Sequence, residues 1–329
     1  MMAEAGGVPI ARTPEGTTKT TMDVTRDEQQ RPSAGRVASV TVTFHPDRRR
    51  LTEQIEALCG QVDDILIVDN GSTEEIGEIV PPASGARIFP LGDNRGIAHG
   101  FNVGIRAARD SGAEFVLLLD HDSIPTPGMV AALLAAHAPQ NAPAAPRIAA
   151  TGPRIRDLRD RHDYPFIRLG WTHNRHVRCA AAELVETDFI ISSGALIAMD
   201  ALRQIGELDE SLFIDSVDFE WCCRARSLGY RLLGVCGATL DHWLGDHRRQ
   251  VMPGMALVIH SPHRLYYMTR NRLLLYRRAY VPLKWKIKDV IRMGCKFIVT
   301  ILLVAPRRLY ARMTWVAIRD AVAGRGGRL

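Results

Sequence analysis

Several things are scarce in this chain of 329 residues, and each scarcity excludes a class of protein. The six cysteines (Cys59, Cys179, Cys222, Cys223, Cys236, Cys295) are scattered, and no pair shows the Cys-x-x-Cys spacing of a zinc or redox centre. Free thiols in a reducing compartment are the simplest expectation. No apolar core follows the first methionines, so a secretory signal peptide is not expected. The apolar run from Phe297 to Ala305 is nine residues long, short of the roughly 20 that a helix needs to cross a bilayer. Acids are scarce in one region only. Residues 260–329 hold 16 Lys and Arg against Asp289 and Asp320, which is +14 and leaves −8 for residues 1–259 of a chain whose net charge is +6. The basicity is a property of the C-terminal segment, for which nucleic acid or anionic lipid would be a fitting partner.

What is present is a chain with 46% hydrophobic residues, enough for a large α/β core. Residues 1–36, rich in Thr, Gly, Pro and charge, read as a disordered leader. Val37 to Phe44 is β-rich and stops at His45-Pro46, where proline removes a ladder donor. A helix with Leu51, Ile55 and Leu58 on one face follows, then a buried strand, Ile65 to Val68, that ends in Asp69-Asn70-Gly71-Ser72. These pieces make a right-handed βαβ unit, and a short third strand is expected around Ala86–Leu91. The first βα turn lacks Gly-x-Gly-x-x-Gly, so this is not the dinucleotide fingerprint. Gly96, Gly100 and Gly104 fall every fourth residue on a predicted helix and would let another backbone approach closely. Arg95, His99, Asn102 and Arg106 argue against a membrane span there, and Asn94 and Asn102 are candidates for ligand contact.

The organising stretch is Glu114 to Asp122. Five apolar residues form a buried strand that ends in Asp120-His121-Asp122, and in an open α/β sheet ligands bind beyond the carboxyl ends of strands. Two acids one residue apart suit a hard divalent cation, Mg²⁺ or Mn²⁺, that also holds a diphosphate. Residues 138–147 read as a loop between two halves of the domain, 37–137 and 148–259. Phe189 to Ile197 places Ser193-Gly194 between apolar runs, as a sugar contact or as a glycine bulge in a strand. Asp215 to Arg226 begins a helix with Val217, Trp221, Ala225 and Leu228 facing the core. Asp218 falls in its first turn, where the helix dipole favours the ionised form, and Asp215 or Ser216 could cap it. Glu220 can pair with Arg224 at i+4. His242 and His247 each stand beside acids.

The order of these motifs resembles the inverting family 2 glycosyltransferases of the GT-A fold, and within them the rhamnosyltransferase-like branch. The matching pieces are Val42-Thr43-Phe44, Val68 to Ser72, Asn94-Arg95-Gly96 with Asn102, Asp120-His121-Asp122, Ser193-Gly194-Ala195 and Asp218-Phe219-Glu220-Trp221. The resemblance implies a Rossmann-like mixed sheet flanked by helices over residues 37–259, the nucleotide-diphospho-sugar transferase fold, with a basic helical extension over 260–329. It further implies transfer of a sugar from a nucleotide diphosphate to an acceptor hydroxyl with inversion. Thr43, Asp69, Asn94, Asn102 and Asp120 would then bind the donor, Asp69 near the nucleobase and Asp120 near the ribose. Asp122 and His242 would hold the metal, Asp218 would be the general base, and Ser193 and Gly194 would meet the acceptor. Tyr266-Tyr267 followed by Arg270-Asn271 resembles a motif of the same branch, with Arg270 facing a phosphate. Where the family has a glutamate beside its base this chain has Val217, so any role of that acid is lost or passes to Asp215.

The expected donor is dTDP-rhamnose, with another hexose or galactofuranose as the alternative. The expected acceptor is a saccharide or lipid-linked saccharide of cell-surface polysaccharide or glycolipid synthesis. The basic tail, with Lys284, Lys286, Lys288, Arg292 and Lys296 among apolar residues, would hold the enzyme on the inner face of the cell membrane or pack as a helical cap. A non-catalytic membrane- or nucleic-acid-binding protein is the reading of another class. Nucleic acid is disfavoured because the basic residues are mixed with long apolar runs and no nucleic-acid-binding motif accompanies them.

Overall fold

The computed structural model describes residues 35–137, 147–179, 183–243, 248–252, 255–258, 260–303 and 306–329. The loop expected at 138–147 lies outside the described residues except at Arg147, as do His247 and the leader up to residue 34. The chain opens with β1 (Val37–Thr43), α1 (Arg48–Leu58), β2 (Asp64–Asp69) and β3 (Arg87–Pro90). It continues through α2 (Ile97–Asp110), β4 (Phe115–Asp120), β5 (Ser123–Pro125) and α3 (Met129–Ala135). The second half holds β6 (Ile148–Asp157), β7 (Phe166–Arg168), β8 (Arg175–Val177), β9 (Leu184–Glu186), β10 (Leu196–Ala198), α4 (Met199–Ile205), α5 (Val217–Ser227) and β11 (Arg231–His242). It closes with the hairpin β12 (Arg248–Met252) and β13 (Met255–Val258), then α6 (Pro262–Tyr276), α7 (Leu283–Leu303) and α8 (Arg307–Val322).

The main sheet runs β3-β2-β1-β4-β10-β6-β11-β5, with β9 also on β11. Its first four strands are parallel, whereas β10 pairs antiparallel to β4 and to β6. It is therefore the mixed sheet expected. Burial on both faces explains the near-continuous apolar strands. Leu66, Val68, Val116 and Leu118 point into a core with α2, α4 and α5, while Ile65, Ile67, Leu117 and Leu119 point into a second core with α1 and α3. The glycines of α2 act through close approach: a Cβ on Gly100 would lie 2.8 Å from Val42 Cγ1, and one on Gly104 would collide with Val40. Gly96 is instead the turn before the helix, at φ +90°, a conformation that side chains rarely tolerate.

Two sequence-based expectations change here. Cys179 and Cys236 are joined in a disulfide, so the scatter of cysteines does not argue for a reducing compartment. The bond joins β11 to the segment after β8, a pairing across 57 residues that local spacing does not reveal. Leu228 is exposed because α5 ends at Ser227, although Val217, Trp221 and Ala225 are buried as expected. The C-terminal helices belong to the same compact unit as the sheet. Tyr266 Oη donates to Asp320 at 3.0 Å, Tyr310 Oη to the His260 carbonyl at 2.9 Å, and the Gly327 amide to the Ser211 carbonyl at 2.6 Å. The last helix is thus a cap on the domain. Among the described residues no helix is long and apolar enough to cross a membrane.

Candidate active site

The parallel strands β1, β2 and β4 end together, with Thr43 in register with Asp69 and Val42 with Asp120. Their carboxyl ends open into a cleft of ≈ 670 Å³ whose walls include Asn70, Asn94, Asp120, Asp122, Asp218 and His242. Asp69 itself is buried beneath this rim. It accepts from Thr43 Oγ1 at 2.9 Å, Ser72 Oγ at 2.5 Å and the Ser72 amide at 3.1 Å, so Thr43 orients Asp69 rather than lining the cleft. Asn94 accepts from Asn70 Nδ2 at 3.2 Å and from the Gly96 amide at 3.0 Å, which shapes the turn into α2 at the cleft edge.

Asp120, Asp122 and His242 bring ligand atoms within 4.8 Å of one another. The register of β11 on β5 achieves this, since His242 pairs with Ser123, the residue after Asp122. Ser123 Oγ lies 2.6 Å from His242 Nδ1 and 2.6 Å from Ser193 Oγ, and Ser193 Oγ accepts from the Asp120 amide at 3.2 Å. Gln54 of α1, fully buried, donates to the carbonyls of Asp120 at 2.6 Å and Ser123 at 2.5 Å and accepts from Thr41 Oγ1 at 2.9 Å. The acidic turn is therefore held from both sides by neutral hydrogen bonds. Burial, with the neighbouring charge of Asp122 second, pushes the Asp120 carboxyl up to about 7. Burial likewise lowers His242, against the opposing pull of Asp122 and Asp157. A cation here would offset the cost of ionising Asp120, and two carboxylates with one imidazole form a donor set that suits Mn²⁺ or Mg²⁺.

Asp218 lies in the first turn of α5, where its carboxylate accepts from the Phe219 amide at 2.7 Å. The dipole alone would favour its ionised form. Burial outweighs the dipole and the backbone hydrogen bonds, and the pKa is raised. Neither suggested residue caps the helix through its side chain: Ser216 makes no capping bond, and Asp215 pairs with Arg264 at 3.2 Å. Glu220 is buried and pairs with Arg224 at 3.0 Å, as its i+4 spacing implies. Phe213, Asp215 and Ser216 all have positive φ, between 63° and 65°, so the segment entering α5 is strained next to the cleft.

Besides Thr43, four expected ligand contacts are placed elsewhere. Arg270 is fully buried and donates to the carbonyls of Ser211 at 3.1 Å and Leu212 at 3.0 Å, so its guanidinium has no access to a phosphate in the cleft. With Asn271, which donates to the carbonyls of Leu212, Ile214 and Asp215, it clamps the strained segment before Asp218. The cleft instead carries Arg264, six residues earlier on α6, and Arg159. Asn102 is buried and spends its amide on the Leu208 backbone, at 2.9 and 3.0 Å, and on Glu210 at 2.9 Å, which ties α2 to the loop after α4. Ser193 lies under Asp120 instead of in the cleft. Gly194 turns at φ +89° against Pro153 and Leu240 in the turn before β10, and Ser192 is the neighbour that reaches the cleft.

The sequence reading missed Gln54, Ser123 and Arg264. Only Gln54 carried a signal: it is a polar residue on the apolar face that Leu51, Ile55 and Leu58 define.

Residues 39–206, just over half of the chain, match the family described as glycosyl transferase family 2. The chain is also 31% identical over 258 residues to dTDP-rhamnosyl transferase RfbF of Shigella flexneri, covering 78% of this chain and 84% of that protein. The chain belongs to glycosyltransferase family 2. Solved structures place the fold. The crystal structure of GalNAc-T7 with UDP, GalNAc and Mn²⁺ aligns with a TM-score of 0.56 at 13% identity over 88% of this chain, which spans 57% of that one. TarS 1-349 of S. aureus in complex with UDP-GlcNAc aligns with a TM-score of 0.53 at 14% identity, over 87% of this chain and 81% of that one. This family 2 enzyme thus has the GT-A architecture and is an inverting glycosyltransferase.

Proposed function

We propose that this enzyme transfers L-rhamnose from dTDP-rhamnose to a hydroxyl of a saccharide or lipid-linked saccharide in the synthesis of cell-surface polysaccharide or glycolipid. The sugar rests on the likeness to the rhamnosyl transferase RfbF, which extends over most of both chains. The observation that carries the chemistry is the cleft whose lining Asp120, Asp122 and His242 share with Asp218. Asp122, His242 and Asp120 would hold Mg²⁺ or Mn²⁺. When bound, the cation stabilises the charge that develops on the leaving diphosphate.

The chain's own residues do the rest. Asp218, ionised, accepts the acceptor hydroxyl's proton as that oxygen attacks the anomeric carbon. One displacement inverts the anomeric centre. A base whose pKa is raised toward the working pH is a stronger proton acceptor while still ionised, so the burial of Asp218 serves this role. Asn94 lines the cleft where the nucleoside would rest, and Asp69, held by Thr43 and Ser72, lies beneath that rim. Arg264, beside Asp215, is one of two cleft arginines, with Arg159, that could meet the diphosphate.

We place the enzyme at a membrane surface. On α7, Leu283, Ile287, Ile291 and Ile298 recur at helical spacing with 49 to 63% exposure, an apolar stripe flanked by Lys284, Lys288 and Arg292. The direct test of donor identity is a panel of nucleotide sugars with Mn²⁺, read by thermal protection and by release of nucleotide diphosphate. Protection by dTDP-rhamnose that rises with its concentration supports the proposal, since binding stabilises the native state by mass action. Protection and turnover with a UDP- or GDP-sugar instead would replace the donor and leave the family chemistry in place.

A further inference from the structure

Asp218 stands in a wall with a cavity on either side. One is the metal-and-donor cleft; the other, of ≈ 440 Å³, shares Ser216 and Asp218 with it. Trp285 of α7 lines this second cavity and packs on Phe219 with ring centroids 4.6 Å apart. Arg272, Lys288 and Arg292 line it as well. Their charge is only partly offset. Asp289, whose side chain is 1% exposed, faces both Arg292 at 2.6 Å and Arg272 at 3.6 Å, and Lys288 reaches a neutral partner, the amide oxygen of Asn174. Two carboxylates, Asp289 and Asp218, against three cations still leave the lining positive. Arg272 also lines a third cavity, an apolar groove of ≈ 230 Å³ between α6, α7 and α8, with Leu265, Met268, Leu273 and Phe297 in its walls. From Asp218 outward the order is therefore an aromatic platform, a cationic stretch and an apolar groove.

We infer that the second cavity is the acceptor subsite and that it selects a saccharide joined through a phosphoryl group to an apolar chain. This rests on the reading of Asp218 as the base. The sugar ring lies against Trp285 with its hydroxyl at Asp218, the phosphoryl oxygens meet Arg272, Lys288 and Arg292, and the chain enters the groove beside Arg272. Neutral glycans lack the group that these three cations recognise. In the transfer the acceptor oxygen forms its bond to the donor's anomeric carbon as the bond from that carbon to the nucleotide diphosphate breaks. The hydroxyl proton passes to Asp218, and the phosphoryl ester of the acceptor is left intact.

The test uses the full chain, with divalent cations removed by chelator, and calorimetric titration with three probes: geranyl monophosphate, geraniol and inorganic phosphate. Geranyl monophosphate should bind most tightly. Lys288→Glu and Arg292→Glu should each weaken its binding about tenfold or more, the scale of one lost charge-assisted hydrogen bond. Circular dichroism checks their folding, and Lys288→Gln and Arg292→Gln replace any variant that fails it. Geraniol binding as tightly as its phosphate would remove the phosphoryl selectivity. Inorganic phosphate binding as tightly as geranyl monophosphate would remove the apolar chain. Undiminished binding by both variants would move the anion out of this cavity and overturn the inference. Release of nucleotide diphosphate by attack of water on the donor reports the donor cleft separately. If that release is absent in the unaltered enzyme the donor reading fails, whereas the phosphate titration still decides the acceptor subsite.

Discussion

Replacing Asp218 by Asn tests the chemical centre most directly, because the substitution keeps the side chain's shape and its place in the first turn of α5 while removing its capacity to take a proton. The carboxylate accepts from the Phe219 amide at 2.7 Å, and an amide oxygen can accept the same bond. The substitution also removes a half-buried carboxyl whose ionisation is opposed by desolvation, so the fold should be no less stable. A positioned general base supplies a factor of about 10² to 10⁴, which corresponds to about 2.7 to 5.4 kcal/mol in barrier height. Turnover of Asp218→Asn should fall by that factor, whereas the donor concentration giving half-maximal thermal protection should stay within about twofold, since the base meets the acceptor. The pH profile adds a readout that a structural role would not move. Because the carboxyl's pKa is raised, the acid limb of kcat/KM should lie above the ordinary aspartate range, and the variant should lose that limb. Product NMR must show the anomer opposite to the donor's. A retained anomer, or Asp218→Asn turning over at the unaltered rate, would refute the reasoning; the second result would move the base to Asp215 or Glu220.

Three further outcomes follow from other parts of the structure. Asp122→Asn should abolish most activity and the extra thermal protection that Mn²⁺ gives the donor complex, and full turnover in chelator would exclude the metal role. His137, half-buried, packs against Phe115, and desolvation depresses its pKa to about 4. A depressed histidine gives stability that is fully present above the unfolded value near 6.5 and is lost as pH falls toward the folded one, so about 2 kcal/mol should be gone by pH 5. His137→Phe should flatten that loss in denaturant titrations at pH 7 and pH 5; an unchanged slope would assign it to other groups. On α7, Ile291→Glu with Ile298→Glu should release the intact chain from anionic vesicles in a sedimentation assay at low salt. Deleting the tail is the wrong perturbation here, because Gly327 and Asp320 are tied to Ser211, Arg270 and Tyr266. Equal sedimentation of the variant and the unaltered chain would leave α7 without a membrane role.

The sequence by itself determined the elements whose signal is local. Apolar runs that end in Asp69 and Asp120 are buried parallel strands, because a sheet covered on both faces requires continuous hydrophobicity and places strand-terminal acids at its open end. The glycine spacing in α2 is legible for the same reason: without Cβ atoms at Gly100 and Gly104 the helix can sit on Val42 and Val40. The first-turn position of Asp218 and the Glu220–Arg224 pair follow from helical periodicity alone. Tertiary structure decided what each polar group finds opposite it. His242 joins Asp120 and Asp122 through the register of β11 on β5, strands that lie more than a hundred residues apart in the chain. Arg270 and Asn102 read as ligands from motif position, yet burial commits both to backbone carbonyls, while Arg264 on the same helix as Arg270 reaches the cleft. The ionisation of Asp218 changed direction in the same way. The dipole is a local property of the helix and favours the charged form, but desolvation depends on everything packed around the side chain, and here desolvation is the larger effect.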